Sequence, residues 1–289
     1  MFVKSIVRNA LRVAKVPGTG GQFSAANALA LAVDHYTFAR QRVSAPTSTY
    51  LSSTSKKVLA EVSAQGFSAI EDFVSKDDCE KLRRVLTQRL AENPDLLHPA
   101  TQYDLRLHGI ENVDEIFASY ATDPQLVQMA SAYLQRPARA AFTLGASLQA
   151  LEGNPGSGGG WHRDSITPQF KTMLYLTDVG LDNGPFQIVA RSHHLMQTIL
   201  DNRAAHLPYG QVRFTQKQVD EVLNNSHGDR LHTLHYPAGT LLIFDSSTIH
   251  RGSPIKNGTR LALTNYFYPE SQIDSELYWH FQPVAGHKQ

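Results

Sequence analysis

Two textures divide the chain. From residue 142 onward, short apolar runs alternate with polar positions and break at Gly, Pro and Asn. FTLGASLQAL (142–151), KTMLYLTDV (171–179), PFQIVAR (185–191), TLLIFDSS (240–247) and RLALTNYFYP (260–269) each have the length and period of a β-strand. Before residue 140 the spacing is mostly helical. GFSAIEDFVS (66–75) reads as a short strand, after which Ser75 caps a helix through KLRRVLTQRLAE, with Asp77 and Asp78 in its first turn. Further helices are predicted over 112–121 and 124–135, the latter with Val127, Met129, Ala130, Ala132 and Leu134 as its apolar face. Residues 195–230 are polar and helical around TQKQVDEVLNN (215–225). Helices followed by strands predict an α+β domain with an antiparallel sandwich or barrel.

Charge changes this picture at one end only. Lys+Arg 27 against Asp+Glu 26 gives a net +1, too balanced for a nucleic-acid-binding field. Residues 1–57, however, hold eight basic residues against the single acid Asp34, a net +7 that leaves −6 for the rest. Within FVKSIVRNALRVAKV (2–16) the basic residues recur every three or four positions among Phe2, Ile6, Val7, Leu11 and Val13, a basic amphipathic helix pattern. Such a pattern serves as a mitochondrial presequence, as a peripheral membrane contact through residues 1–16, or as an arm packed on its own domain. With the Ser/Thr-rich stretch 43–57 it delimits a basic arm and linker (1–57) before a catalytic domain (58–289), so deletion of 1–42 is expected to leave the domain folded. No apolar run approaches the roughly 18–20 residues of a membrane span. Cys79 is the only cysteine, which excludes an internal disulfide and a Cys-rich zinc site and makes a reducing cytoplasm the expected compartment.

The candidate chemistry lies in GGGWHRDS. In extended backbone, residues i and i+2 point to one side, so His162 and Asp164 can share a metal. A second pair, His227 and Asp229, sits in the polar run NNSHGDR with no strand leading into it and reads as a surface loop; His232 and His235 are not expected as ligands either. His250 ends the next apolar run, and after the Asn257-Gly258 reversal a strand opens with Arg260. Two histidines and a carboxylate leave three positions open on an octahedral ion, the non-haem iron arrangement, although a three-ligand hydrolytic zinc site is open to the same residues. Arg260 favours iron with a carboxylate co-substrate. It shares a face with Ala262, Thr264 and Tyr266, where a guanidinium fork can capture a carboxylate. The alternation that sets Ser147 and Gln149 against Leu144, Ala146 and Leu148, and Tyr175 and Thr177 against Leu174 and Leu176, suggests a cavity lined by the polar faces.

These segments together resemble the phytanoyl-CoA dioxygenase-like family of Fe(II)/2-oxoglutarate-dependent oxygenases over roughly residues 60–270. The resemblance rests on GFSAIEDFVSKDDCEKLRRVL, WHRD, LYLTDVGLDNGPFQIVARSHH and GTLLIFDSSTIHRGSPIKNGTR. It implies a double-stranded β-helix (jelly roll) core with flanking helices. It further implies that His162, Asp164 and His250 hold Fe(II), that Arg260 binds the distal carboxylate of 2-oxoglutarate, and that Tyr175, Gln149 and Thr177 are co-substrate contacts. The implied enzyme uses O2 to oxidise a C–H bond of a small-molecule substrate while 2-oxoglutarate becomes succinate. Related halogenating enzymes have Gly or Ala at the carboxylate position, so Asp164 favours hydroxylation, with desaturation and ring closure as alternatives. Hydrolytic or isomerising metal chemistry and a catalytically silent binding role are the rival readings. Ala190-Arg191-Ser192-His193 departs from the family's common Pro-Gly-Ser-His.

Overall fold

The computed structural model describes residues 24–41, 51–97, 103–151, 154, 156–225 and 229–274. Helix α1 (Ala25–Arg40) is followed by α2 (Ser53–Gln65), β1 (Phe67–Ile70) and α3 (Lys76–Glu92). Side-chain caps set the starts: Ser52 accepts from the Ser55 amide and Ser75 from the Asp78 amide, as polar N-caps do for a helix's unpaired first donors. Gly66, at φ 97°, ends α2 and turns the chain into β1. Next come β2 (Asp104–His108), the short α4 (Ala118–Ala121), α5 (Pro124–Leu134), β3 (Ala138–Gln149), β4 (Phe170–Tyr175) and β5 (Phe186–Val189). Helices α6 (Leu195–Ala204) and α7 (Gln216–Asn224) precede β6 (Leu231–Leu234), β7 (Leu241–Asp245), β8 (His250–Gly252) and β9 (Thr259–Pro269).

The strands form two antiparallel sheets, one ordered β1-β7-β4-β9-β3-β2 and one ordered β6-β5-β8. This is the jelly-roll core with helices outside. Strand periodicity sorts the side chains of the larger sheet. Leu174, Ile243, Leu261, Leu263 and Phe267 face the helices, packing with Leu86, Leu126 and Met129. Tyr175, Leu242, Phe244 and Ala262 face the smaller sheet and pack with Phe186, Ile188 and Leu234. Gly145 lets the helical layer come close, since a Cβ there would lie 2.6 Å from Ile110 Cδ1 and 2.7 Å from Leu86 Cδ1.

One expectation changes. The helix expected over 112–121 is instead two 3-10 turns, Ile110–Asn112 and Glu115–Phe117, running into α4. Asp114 interrupts it, because its carboxylate caps the Ile116 amide and is clamped by Arg89. The expected boundary between residues 57 and 58 falls inside α2. Upstream of it, α1 packs on the domain with Ala30 and Leu31 buried, and Arg136 reaches up to the Phe38 carbonyl (2.5 Å) and the Gln41 side chain (3.1 Å). The amphipathic segment 2–16 and His227 lie outside the described residues. Among the described residues no helix is long and apolar enough to cross a membrane.

Candidate metal centre

His162 and His250 meet as a backbone pair. The His162 amide donates to the His250 carbonyl (2.9 Å) and the His250 amide donates back (2.8 Å), which ties the loop after β3 to β8 of the smaller sheet. Their rings lie 4.3 Å apart between centroids. The Asp164 amide donates to the Ser246 carbonyl (2.9 Å), so the carboxylate is held beside both. The loop needs glycine: a Cβ on Gly158, at φ 83°, would sit 2.4 Å from His162 Cε1.

The side chains are presented for a metal. His162 Nδ1–H donates to the Gly160 carbonyl (2.8 Å) and His250 Nδ1–H to the Thr248 carbonyl (2.7 Å), which leaves both Nε2 atoms bare. Asp164 Oδ1 is 3.8 Å from His162 Nε2 and Oδ2 is 3.6 Å from His250 Nε2, and one ligand atom from each residue falls within a 4.8 Å cluster. Burial pushes the His250 imidazole down to about 3, with the neighbouring His162 adding to it, and burial lowers His162 as well. Burial alone would raise the Asp164 carboxyl, but Lys171, His250 and His162 outweigh it and hold the group far below the carboxylate range. Neutral imidazoles beside an ionised carboxylate are the protonation states that a divalent ion requires. One nitrogen pair and one oxygen, without thiolate, suit iron(II) with open positions.

Arg260 lines the same cavity. It is buried, donates to the Gly184 carbonyl, and passes close to Gly252, where a Cβ would lie 3.2 Å from its Nη2. Ala262, Thr264 and Tyr266 line the cavity with it, in keeping with the face read from the alternation. On β3 the alternation misleads: Leu144 and Ala146 line the cavity, and Gln149, of opposite parity, does not. Gln149 instead engages through its backbone, accepting from Asn154 Nδ2 (2.7 Å). Tyr175 is inward-facing but lies beyond the cavity lining, its hydroxyl donating to the Leu234 carbonyl and accepting from the Phe186 amide, both at 3.1 Å. Thr177 Oγ1 accepts from the Leu261 amide (3.2 Å) and also stays outside the lining.

Two cations in the cavity were not expected. Lys171 on β4 is 4% exposed, donates to Asp164 Oδ2 at 2.6 Å, and lies 3.6 Å from the Tyr266 ring centroid. Arg106 on β2 is clamped by Asp104 (2.8 and 2.7 Å) and reaches Ser157 Oγ (3.0 Å). Burial presses Arg106 down, but Asp104 outweighs it and leaves the guanidinium above its ordinary value. A sequence signal existed for both: Lys171 has the parity of Tyr175, and Leu105 and Leu107 alternate around Arg106.

Comparison with known proteins agrees with this geometry. No curated protein matches the chain. Among solved structures, the non-heme alpha ketoglutarate dependent epimerase SnoN from nogalamycin biosynthesis is 13% identical with a TM-score of 0.54, over 74% of this chain and 82% of that one. HygX from Streptomyces hygroscopicus, with nickel, 2-oxoglutarate and hygromycin B bound, is 18% identical with a TM-score of 0.53, over 74% and 87%. EctD from S. alaskensis is 15% identical with a TM-score of 0.54, over 74% and 77%. At such identities the likeness speaks for the fold. The profile of phytanoyl-CoA dioxygenase (PhyH) matches residues 62–261, and with that span covering more than half of its length the chain belongs to the phytanoyl-CoA dioxygenase family of Fe(II)- and 2-oxoglutarate-dependent enzymes.

Proposed function

We propose that this enzyme hydroxylates a C–H bond of a small-molecule substrate, with His162, Asp164 and His250 holding iron(II) and Arg260 holding the distal carboxylate of 2-oxoglutarate. The observation that carries this reading is the convergence of two bare Nε2 atoms and an ionised carboxylate in a cavity that also contains Arg260. Iron bound there supplies the oxidation, in which 2-oxoglutarate, O2 and R–H become succinate, CO2 and R–OH. The chain's own groups do the rest. The Gly160 and Thr248 carbonyls aim the imidazoles, and Lys171 holds the Asp164 carboxylate beside them through Oδ2. Arg260, with Arg106 lining the same cavity, makes the far end positive, where the buried end of a dianion needs a counter-charge. Met173, Phe186 and Phe244 give the cavity apolar walls against bulk water.

A small-molecule substrate is supported by the similar folds of HygX with hygromycin B and of SnoN in complex with Fe3+, alpha ketoglutarate and nogalamycin RO. Carboxylate ligation by Asp164 favours hydroxylation among the outcomes open to the class. The experiment is succinate formation from 2-oxoglutarate with Fe(II) in wild type, His162→Ala and His250→Ala, with metal binding measured in parallel. Wild type is expected to consume 2-oxoglutarate only with Fe(II), and both variants are expected to lose metal and turnover together. Metal-dependent turnover that ignores 2-oxoglutarate would defeat the reading. A metabolite screen by 2-oxoglutarate consumption, with product mass and 18O incorporation from O2, separates hydroxylation from ring closure or epimerisation.

A further inference from the structure

Helix α6 is built inside out. It buries Thr198, Asp201 and Asn202 and exposes Met196 (66%), Leu200 (52%) and Arg203. The polar side faces inward for a reason: Thr198 Oγ1 donates to the Ser192 carbonyl (2.8 Å), and Asp201 receives Arg230 at 2.8 and 2.7 Å in a fully buried pair. No such reason accounts for the outward apolar stripe. Helix α1, which packs beside α6, does the same with Leu29 (64%) and Tyr36 (62%). Six large apolar side chains are exposed among the described residues, and four of them stand on this one helix pair, a concentration that a solvated surface does not favour.

The charge around these side chains has one sign. The acids of the two helices are Asp34, which accepts from the Tyr209 hydroxyl, and Asp201, which is buried with Arg230. Outward-facing charge comes from Arg40 and Arg203, and from Arg191 just before α6. Arg191 and Arg203 make no ion pair among the described residues. With Leu200, His206 and the Asp201–Arg230 pair they line a cleft of about 680 Å³, in which the one carboxylate is neutralised by Arg230. Both Arg191 (φ 66°) and His206 (φ 52°) are held in left-handed backbone, which a non-glycine residue adopts at a cost. Upstream, residues 2–16 continue the same composition, apolar positions interleaved with Lys4, Arg8, Arg12 and Lys15.

We propose that the α1–α6 face docks on an anionic lipid bilayer. Leu29, Tyr36, Met196 and Leu200 enter the headgroup–acyl boundary, while Arg40, Arg191 and Arg203 meet lipid phosphates, the cleft receiving one headgroup. Apolar side chains rimmed by uncompensated cations are the composition of interfacial membrane binders, and each basic residue near such a surface adds to the hold. A second copy fits less well. A two-fold interface would set this face against itself, bringing Arg40, Arg191 and Arg203 together with their counterparts, while the acids of the two helices, Asp34 and Asp201, are already engaged by Tyr209 and Arg230.

The test is flotation of the full chain with phosphatidylcholine vesicles that contain phosphatidylserine, against phosphatidylcholine alone, at low and high salt. Wild type is expected to float with the anionic vesicles and to be released by salt. Met196→Glu with Leu200→Glu should weaken partitioning about tenfold or more, through lost apolar burial and added repulsion. Arg191→Glu with Arg203→Glu should do the same. Leu181→Glu, exposed but off these helices, should change nothing, and succinate formation should be unaltered in all of them. Three results overturn the proposal: no flotation of wild type, flotation that the α6 substitutions leave intact (the segment 2–16 then acts alone), or a dimer in solution that Met196→Glu with Leu200→Glu dissociates while vesicles are ignored.

Discussion

At the residue scale, Asp164, proposed as an iron ligand, already answers to one cation of the protein's own, Lys171. Lys171 holds Oδ2 at 2.6 Å, the oxygen that also lies 3.6 Å from His250 Nε2, while Oδ1 lies 3.8 Å from His162 Nε2, so the ammonium fixes how the carboxylate is turned toward the two histidines. Lysine has no freedom to leave, being packed over the Tyr266 ring. Groups that orient a ligand are commonly worth about 10–100-fold in metal affinity or activity. Lys171→Met is therefore expected to lose that much 2-oxoglutarate turnover, and Lys171→Arg to recover part of it. Tighter iron binding with undiminished turnover in Lys171→Met would mean that the ammonium only repels the metal. Arg260 acts at the other end. Removing one partner of a buried charge pair costs about 3–5 kcal/mol, or at least a hundredfold at about 1.4 kcal/mol per decade. Arg260→Ala should keep its iron but need about a hundredfold more 2-oxoglutarate, read by titrating succinate formation; an unchanged requirement would remove the residue from the co-substrate role. Both effects turn on which strand face points inward. That His162, Asp164, His250 and Arg260 share one cavity was legible because motif spacing ignores that choice. Lys171 and Arg106 were not, because a polar residue in an alternating strand looks the same facing solvent or a cavity, and on β3 the lining face is the apolar one.

At the scale of elements, α1 is where reading the sequence and reading the structure diverge most. AANALALAVDHYTFAR is apolar nearly all round and carries no helical stripe, so no periodicity marks its buried side. Strand β2 gave only a faint signal for another reason: the five residues of DLRLH alternate over too short a run to stand out, and the ladder from Asp104–Leu148 to His108–Leu144 makes them a strand. The strands from β3 onward were legible because each alternates over enough residues. Helix α1 closes over buried groups. Arg136 lies 4.3 Å from the Phe38 ring centroid and donates to that residue's carbonyl, so removing α1 takes away those contacts as well as exposing the site of Leu31. Deletion of residues 1–23 should be tolerated, whereas deletion of 1–42 is expected to cost about 2–4 kcal/mol, seen as a melting temperature lower by roughly 5–15 °C. Equal melting of the two truncations would make α1 a passive appendage. Burial also holds the His35 imidazole of α1 below its ordinary value of 6.5, and His193 is lowered by burial in the same way. The sign follows directly: the unfolded chain binds these protons first, so their contribution is complete above about pH 6.5 and is lost as pH falls toward the depressed folded values. Melting temperature should fall on that acid side, and His35→Gln should flatten the fall.

For the molecule as a whole, the metal centre is a cross-link between layers. His162 and Asp164 lie on the connection from β3 to β4 of the six-stranded sheet, with Asp164 pinned to Ser246 just past β7, while His250 belongs to β8 of the three-stranded sheet. Two histidine rings and a carboxylate face one another across that junction, which the His162–His250 pair of backbone hydrogen bonds and the Gly252 amide donating to the Ser157 carbonyl (3.2 Å) hold together. An ion that binds all three residues in the folded state and none of them in the unfolded chain must stabilise the fold by an amount that grows with the logarithm of its free concentration above the dissociation constant. At a free concentration a hundred times its dissociation constant the gain is about 2.7 kcal/mol, which for a domain of this size corresponds to roughly 5–10 °C in melting temperature. Anaerobic Fe(II), or nickel as a redox-inert substitute, is expected to raise the transition by that amount, and a chelator to reverse it. 2-Oxoglutarate should add a further rise only when metal is present, because one end of it needs the ion and the other needs Arg260. His162→Ala should abolish both rises, whereas Arg260→Ala should keep the first and lose the second. Should 2-oxoglutarate stabilise His162→Ala as much as wild type, the co-substrate would be binding without the ion, and the two sheets would not be joined through this centre.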